Sequence, residues 1–260
     1  MEKEPKTKKL QAIFNVDNLI SGDGPKAYKK YHKFFELEDG LNKIIRVESS
    51  NELKHKHKDK FELAELVKIA RKLFQELQKK YEINVPADFF INKDKNGKDI
   101  VYSIVDKIKG EHLGEVKNSE EISKKIEKLY TSVAKYFLDK SLKEGELYLW
   151  DICGQSQYVY GKKLDDKEDK IYLIDTDIWL NNSKVGMYLV VYWLTRHISA
   201  QENKIGIQFN EARNNIKQFI DQPLPKNISE TDMENVNGIK SFLNNEKSDY
   251  NPKSAIPAFE

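Results

Sequence analysis

Two aspartates, Asp151 and Asp175, each stand where an apolar run ends, the first after Leu147–Trp150 and the second after Ile171–Ile174. Gln157 lies between them and opens the segment Gln157–Tyr160, which reads as a further strand; Lys162–Lys170 then reads as a charged hairpin tip. A third carboxylate, Asp177, follows closely on Asp175. Carboxylates delivered from adjacent strand ends, with an amide oxygen between them, are a way to hold a small divalent cation against phosphate oxygens, because Mg²⁺ demands hard oxygen ligands in octahedral array. The residue types therefore point to metal-assisted chemistry on a phosphate.

Other reactive side chains are placed less productively. His55 and His57 have no cysteine or third histidine near them, so they do not make a zinc set. The single cysteine, Cys153, has no base in register to raise its nucleophilicity, and alone it forms no internal disulfide, which fits a reducing compartment.

The elements that must position these residues follow from periodicity and turn chemistry. Residues 1–9 read as a tail, and residues 10–48 as β-rich, with an apolar run at Leu10–Phe14, turn residues at Gly22-Asp-Gly24-Pro25, the aromatics Tyr28, Tyr31, Phe34 and Phe35, and a short strand at Lys43–Val47. From Phe61 to Tyr81, the residues Leu63, Leu66, Val67, Ala70, Leu73, Phe74 and Leu77 recur at helical spacing, and Pro86 closes the pattern. Asp88–Ile91 and Ile100–Val105 bracket Asp94-Lys-Asn-Gly97, a hairpin signal. Gly110 follows a strand end, and Ser119–Leu142 predicts a second long helix capped by Ser119. Val185–Ile198 predicts a buried apolar helix and Glu211–Ile220 a shorter one; beyond Pro223 the pattern fades into an Asn-, Ser- and Pro-rich extension.

Composition sets outer bounds. A chain of 260 residues can bury a substantial core as one large domain or two lobes, and its aliphatic and aromatic content is sufficient for folding even at 33% charged residues. The net charge is only +2, and the basic residues are nearly all lysine, with Arg46, Arg71, Arg196 and Arg213 the only arginines. Readers of phosphate backbones and base edges lean on the arginine fork, so this balance argues against a nucleic-acid surface. The longest apolar stretch is too short for a bilayer span, and the opening MEKEPKTKK lacks the apolar segment of a secretory signal. A cytoplasmic protein without membrane attachment is the expectation.

The order β-rich segment, helix, hairpin, linker, helix, strand pairs and helices resembles that of the protein-kinase-like phosphotransferases, and in style the aminoglycoside-phosphotransferase branch, over roughly residues 13–220. The resemblance implies a two-lobed α+β fold: a β-rich N-lobe with one long helix over 10–108, a mainly helical C-lobe over 109–222, and an extension over 223–260. It implies ATP and Mg²⁺ as cofactors and a small-molecule hydroxyl as acceptor. Under it, Asp151 takes the place of the catalytic-loop aspartate, and Gln157 stands one residue beyond where the family has asparagine. Asp175 matches the metal-binding aspartate, with Asp177 beside it. Asp106 to Ile108, before Gly110, corresponds to the hinge that offers backbone groups to adenine. Arg46 stands for the strand-borne phosphate-binding cation, Glu65 for its helix-borne partner, and Gly22 and Gly24 for backbone N–H groups over the phosphates. No activation segment or Ala-Pro-Glu motif follows Asp175, which favours a small-molecule acceptor over a protein one.

Two other readings stay open at this level. A kinase-like chain that has lost catalysis would serve as a binding or scaffold module. Ile-Tyr-Leu-Ile-Asp175-Thr-Asp177 also resembles the opening strand of PIN-like metal-dependent ribonucleases, for which Glu211 with Asp232 or Asp249 would complete the carboxylate set.

Overall fold

A computed structural model describes residues 32–36, 43–48, 62–93, 97, 99–143, 147–148, 152–174, 180–181 and 186–246. Gly22, Gly24, Asp151, Asp175, Asp177 and Asp249 lie outside the described residues. The chain is α+β, and it divides into two compact units, Met1–Lys72 with Pro86–Lys107, and Leu73–Val85 with Ile108–Glu260.

In the first unit, strands β1 (His32–Glu36), β2 (Lys43–Glu48), β3 (Ala87–Lys93) and β4 (Asp99–Asp106) form an antiparallel sheet in the order β1-β2-β4-β3. Side chains alternate between faces along a strand. Pairing Ile45 with Ile104, Val47 with Tyr102, and Phe90 with Tyr102 gathers Ile45, Val47, Phe90, Ile100, Tyr102 and Ile104 into one apolar face. The phenyl ring of Phe90 stacks on Tyr102 at 5.5 Å. The intervening pair, Arg46 opposite Ser103, belongs to the other face, and Phe89 joins it across β4. The first helix among the described residues, α1 (Leu63–Tyr81), follows β2 in sequence. Its first half lies in the first unit, where the guanidinium of Arg71 sits over the Phe90 ring at 5.3 Å and bonds Asp88. That turn therefore lies on the apolar side of the sheet.

The second half of α1 belongs to the second unit. The helix stops at Tyr81, ahead of Pro86: Glu82 takes a left-handed conformation (φ 54°) and the Ile83 N–H closes back on the Leu77 carbonyl at 3.0 Å. This six-residue closure satisfies one of the carbonyls that a helix end leaves open. Lys80 and Tyr81 both reach Asp139 on α2 (Glu120–Lys143), and the buried ammonium of Lys140 pairs with Glu76 at 2.8 Å. Ser119 caps α2 as its sequence predicts, with Oγ accepting from the Ile122 N–H at 3.2 Å.

Strands β5 (Lys109–His112), β7 (Tyr158–Lys162) and β8 (Lys170–Leu173) form a second antiparallel sheet, and β6 (Leu147–Tyr148) pairs with β9 (Leu180–Asn181) as a separate ladder. Gly110 follows the end of β4, as expected, and lies within β5, directly opposite Gly161 of β7; a Cβ on Gly110 would fall 2.7 Å from the Gly161 Cα. Helices α3 (Gly186–Ile205) and α4 (Asn210–Ile220) follow.

Three sequence expectations are corrected. The Leu147–Trp150 and Ile171–Ile174 runs are expected to end side by side, yet the two strands share no ladder: β6 pairs with β9 and β8 pairs with β7. Gln157 does not open a strand: it ends a short 3₁₀ turn, Gln155–Gln157. Beyond Pro223 the chain forms α5 (Glu230–Leu243), an ordered helix that packs on α3 with Val236 and Ile239 fully buried. Among the described residues no helix is long and apolar enough to cross a membrane.

Candidate functional site

The chain segments that flank Asp151 and Asp175 meet at two places in the second unit. Just after Asp151, Ile152 and Cys153 are buried, and the buried phenol of Tyr158 donates to the Ile152 carbonyl at 2.6 Å. The turn then closes on itself, with the Gln157 N–H on the Gly154 carbonyl at 3.1 Å. Just before Asp175, the N–H of Ile174 donates to the Gln157 carbonyl at 2.8 Å. One backbone bond therefore joins the segment after Asp151 to the residue immediately before Asp175.

Farther out, β6 precedes Asp151 and β9 follows Asp177, and these two strands pair through Leu147–Asn181 and Tyr148–Leu180. The described segments on either side of Asp151 and Asp175 are thus joined twice, by the β6–β9 ladder and by the Gln157–Ile174 bond. Behind this frame, Tyr158 in β7 pairs with Leu173 in β8, and Leu173 also takes the Asn84 carbonyl at 2.9 Å. The Asn84 amide itself donates to the Ile171 carbonyl, so a residue shortly past the α1 terminus braces β8. Tyr130 of α2 is buried, with its hydroxyl 3.5 Å from the Cys153 carbonyl; burial pushes its phenol well above the ordinary range and keeps it neutral. A neutral phenol on a backbone carbonyl is a scaffold group rather than an acid or base.

Of the sequence-proposed ligands, Gln157 is described and partly buried, at the end of its 3₁₀ turn. In the first unit, Arg46 is 5% exposed at the middle of the sheet. Its cross-strand neighbour Ser103 is fully buried, and its hydroxyl has no hydrogen-bond partner among the described residues. A buried hydroxyl left unsatisfied is costly, and Ser103 shares its face of the sheet with Arg46. Glu65 is exposed in the first turn of α1, and among the described residues no ion pair joins it to Arg46. Asp106 ends β4: its N–H donates to the Pro86 carbonyl at 2.8 Å and its carboxylate bonds Lys43 across the β2–β4 pair. Ile108 follows, partly buried, where β4 passes to β5.

The alternative carboxylates are placed differently. Asp232 lies at the start of α5, where its N–H donates to Ser229 Oγ at 3.0 Å and its carboxylate takes the Ser229 hydroxyl at 2.8 Å. This reciprocal pair satisfies the helix N-terminus. Glu211 is exposed in the first turn of α4. Among the described residues, no three His, Cys, Asp or Glu side chains form a metal-binding group. Ser103 was missed in the sequence because a lone serine in an apolar strand carries no signal until register sets it opposite Arg46. No family model matches the chain, and no curated protein matches it.

Proposed function

We propose that this protein is an ATP- and Mg²⁺-dependent phosphotransferase of the kinase-like type, acting on the hydroxyl of a small molecule. The observation that carries the reading is the Ile174–Gln157 backbone bond together with the β6–β9 ladder, since the two join the described segments that flank Asp151 and Asp175 in sequence. Carboxylates working on one phosphate need such shared positioning, because catalysis of phosphoryl transfer is mostly orientation and electrostatics. A second support is the buried cation in the middle of the first sheet, Arg46, cross-strand from Ser103, whose hydroxyl has no hydrogen-bond partner among the described residues.

In this reading Asp151 orients the acceptor hydroxyl and takes its proton. Asp175, aided by Gln157 and Asp177, supplies the oxygen ligands for a divalent ion. Arg46 offsets charge on the non-transferred phosphates, and Glu65, Gly22 and Gly24 assist it. Backbone groups at Asp106 to Ile108 take the adenine, other than the Asp106 N–H, which is already bonded to Pro86. Asp175, Gln157 and Asp177 would be the residues to hold Mg²⁺, and the ion, when bound, would supply charge neutralisation at the phosphate.

The exposed carboxylate of Glu65 favours a second reading, in which the chain binds nucleotide without turning it over and serves as a scaffold. The test begins with binding. Mg·ATP should raise the melting temperature by mass action, ATP without divalent metal should not, and Asp175→Asn should abolish most of the shift. An equal shift without metal would remove Asp175 from its role, and no shift at millimolar Mg·ATP would overturn nucleotide binding altogether.

A further inference from the structure

One charged group in the second unit is held in a way that helix packing alone does not require. Glu202 of α3 is buried and grips Arg213 of α4 with both carboxylate oxygens, Oε1 to Nε at 2.8 Å and Oε2 to Nη2 at 2.6 Å. Arg213 Nη1 donates to the Phe242 carbonyl at 2.9 Å, and the guanidinium carbon sits 4.0 Å over the Phe242 ring. Three hydrogen bonds and a ring face fix the fork in place. A guanidinium has five N–H bonds. Two of them are therefore left over among the described residues.

Arg213 lines a groove of about 480 Å³ along α4 and the end of α5, which falls within the range of small-ligand sites. Glu202 does not line it, so the compensating carboxylate stands behind the guanidinium. Lys217 follows Arg213 one turn on along α4, and Lys240 faces the groove from α5; both are exposed and neither makes an ion pair among the described residues. Asn210 and Asn214 add amide groups, and Asp221 is the one carboxylate in the lining. Lysines in the last turn of a helix are common because they offset its dipole. That accounts for Lys217 and Lys240 taken singly. It does not account for a preset arginine fork lining the same groove.

We infer that the α4–α5 groove is a binding site for a small soluble phosphate-bearing anion, held by the spare N–H groups of Arg213 and by the ammonium groups of Lys217 and Lys240. Arginine's planar fork matches two phosphate oxygens at once, and a lysine adds charge without that geometry. Asp221 offsets one lysine, leaving an excess that suits a group carrying between one and two negative charges at neutral pH. The site uses neither Asp151 nor Asp175, and it stands or falls separately from the phosphotransferase reading.

The test is a titration with inorganic phosphate followed by ¹⁵N NMR, in metal-free buffer at low ionic strength, where screening is weakest. The backbone amides of Asn214, Lys217 and Lys240 should shift along one saturable curve. The double substitution Lys217→Gln with Lys240→Gln should weaken binding by about tenfold, as expected for losing two charge-assisted bonds, and should leave the melting temperature unchanged. Shifts that do not saturate, shifts confined to other residues, or equal affinity in the double variant would each overturn the site. Because no metal is present, failure here says nothing against Mg·ATP stabilisation through Asp175, and success here does not depend on it.

Discussion

The ring of Tyr192 in α3 occupies the space that a side chain on Gly238 of α5 would need: a Cβ built there falls 2.8 Å from the Tyr192 Cδ2 and 3.2 Å from its Cζ. Tyr192 is itself buried, so the ring has little room to retreat. An interior helical glycine ordinarily costs a few tenths to one kcal/mol against alanine, and replacing it would ordinarily help. Here the order reverses. Gly238→Ala should lower stability by about 1–3 kcal/mol, the scale of overpacking a filled core. Urea denaturation of Gly238→Ala, Tyr192→Ala and the pair checks this: the double variant should lose less than the sum of the singles. Full additivity would mean that ring and glycine do not interact.

Glu202 and Arg213 give a second prediction. Their side chains are 9% and 13% exposed, and the Glu202 carboxylate also accepts the Phe209 N–H at 2.7 Å. Removing one member of a buried pair leaves the other charged and unpaired, at about 3–5 kcal/mol. Glu202→Gln should therefore cost about 3 kcal/mol in the urea midpoint. Glu120→Gln, which breaks the exposed Lys124 pair on α2, should stay within about 0.5 kcal/mol. Similar losses in the two variants would contradict the burial argument.

Asp166 at the β7–β8 tip gives a pH dependence. Desolvation opposes its ionisation, but bonds from the Tyr172 hydroxyl, the Lys163 N–H and Lys170 outweigh it and bring the carboxyl from 3.8 to about 2. A folded-state value below the unfolded one stabilises the protein above the unfolded value, and that share is lost as pH falls through the folded one. Wild type should exceed Asp166→Asn in stability by about 1–2 kcal/mol at pH 6, and the gap should close between pH 4 and pH 2. A gap that persists unchanged to pH 2 would assign the loss to packing instead of charge.

What the sequence could carry depended on how much of each signal was local. The apolar rhythm from Leu63 to Leu77 and the Asp94–Gly97 turn name α1 and the β3–β4 hairpin, because periodicity and turn chemistry act within a few residues. The partner of β6 was not legible: two strands as short as Leu147–Tyr148 and Leu180–Asn181 find each other only through the elements between them. Helix α5 was hidden by composition, since Asn, Gly, Ser and Thr lower its propensity and its two fully buried aliphatics, Val236 and Ile239, are too few to make a stripe. Its start was nonetheless written in Ser229 and Asp232, a capping pair that composition masked. At the candidate site, Arg46 could be named as a strand-borne cation. Its burial and its pairing with Ser103 are register effects that no local pattern contains.

Asp151 offers the test that separates a catalyst from a binding module. In the proposed function it faces the acceptor hydroxyl and not the nucleotide. Asp151→Asn keeps shape and volume while removing the negative charge and the proton acceptor. Folding and Mg·ATP stabilisation should survive, and phosphotransfer, or slow ATP hydrolysis in the absence of acceptor, should fall by about two orders of magnitude or more, the usual scale for losing a positioned acid–base group. Single-turnover assays with γ-labelled ATP, run beside thermal melts, measure both quantities on one preparation. A chain that binds Mg·ATP but shows no turnover before the substitution would be the scaffold. A chain that unfolds on Asp151→Asn would use this carboxylate to satisfy backbone N–H groups ahead of the buried Ile152–Cys153 turn, because a buried donor stripped of its acceptor costs about 1–3 kcal/mol each. The companion substitution Tyr158→Phe discriminates these cases: it removes the 2.6 Å bond to the Ile152 carbonyl without touching any acceptor-facing group. If turnover falls in Asp151→Asn at full stability, whereas Tyr158→Phe loses stability and activity together, Asp151 acts on the reaction and Tyr158 acts on the turn that carries it.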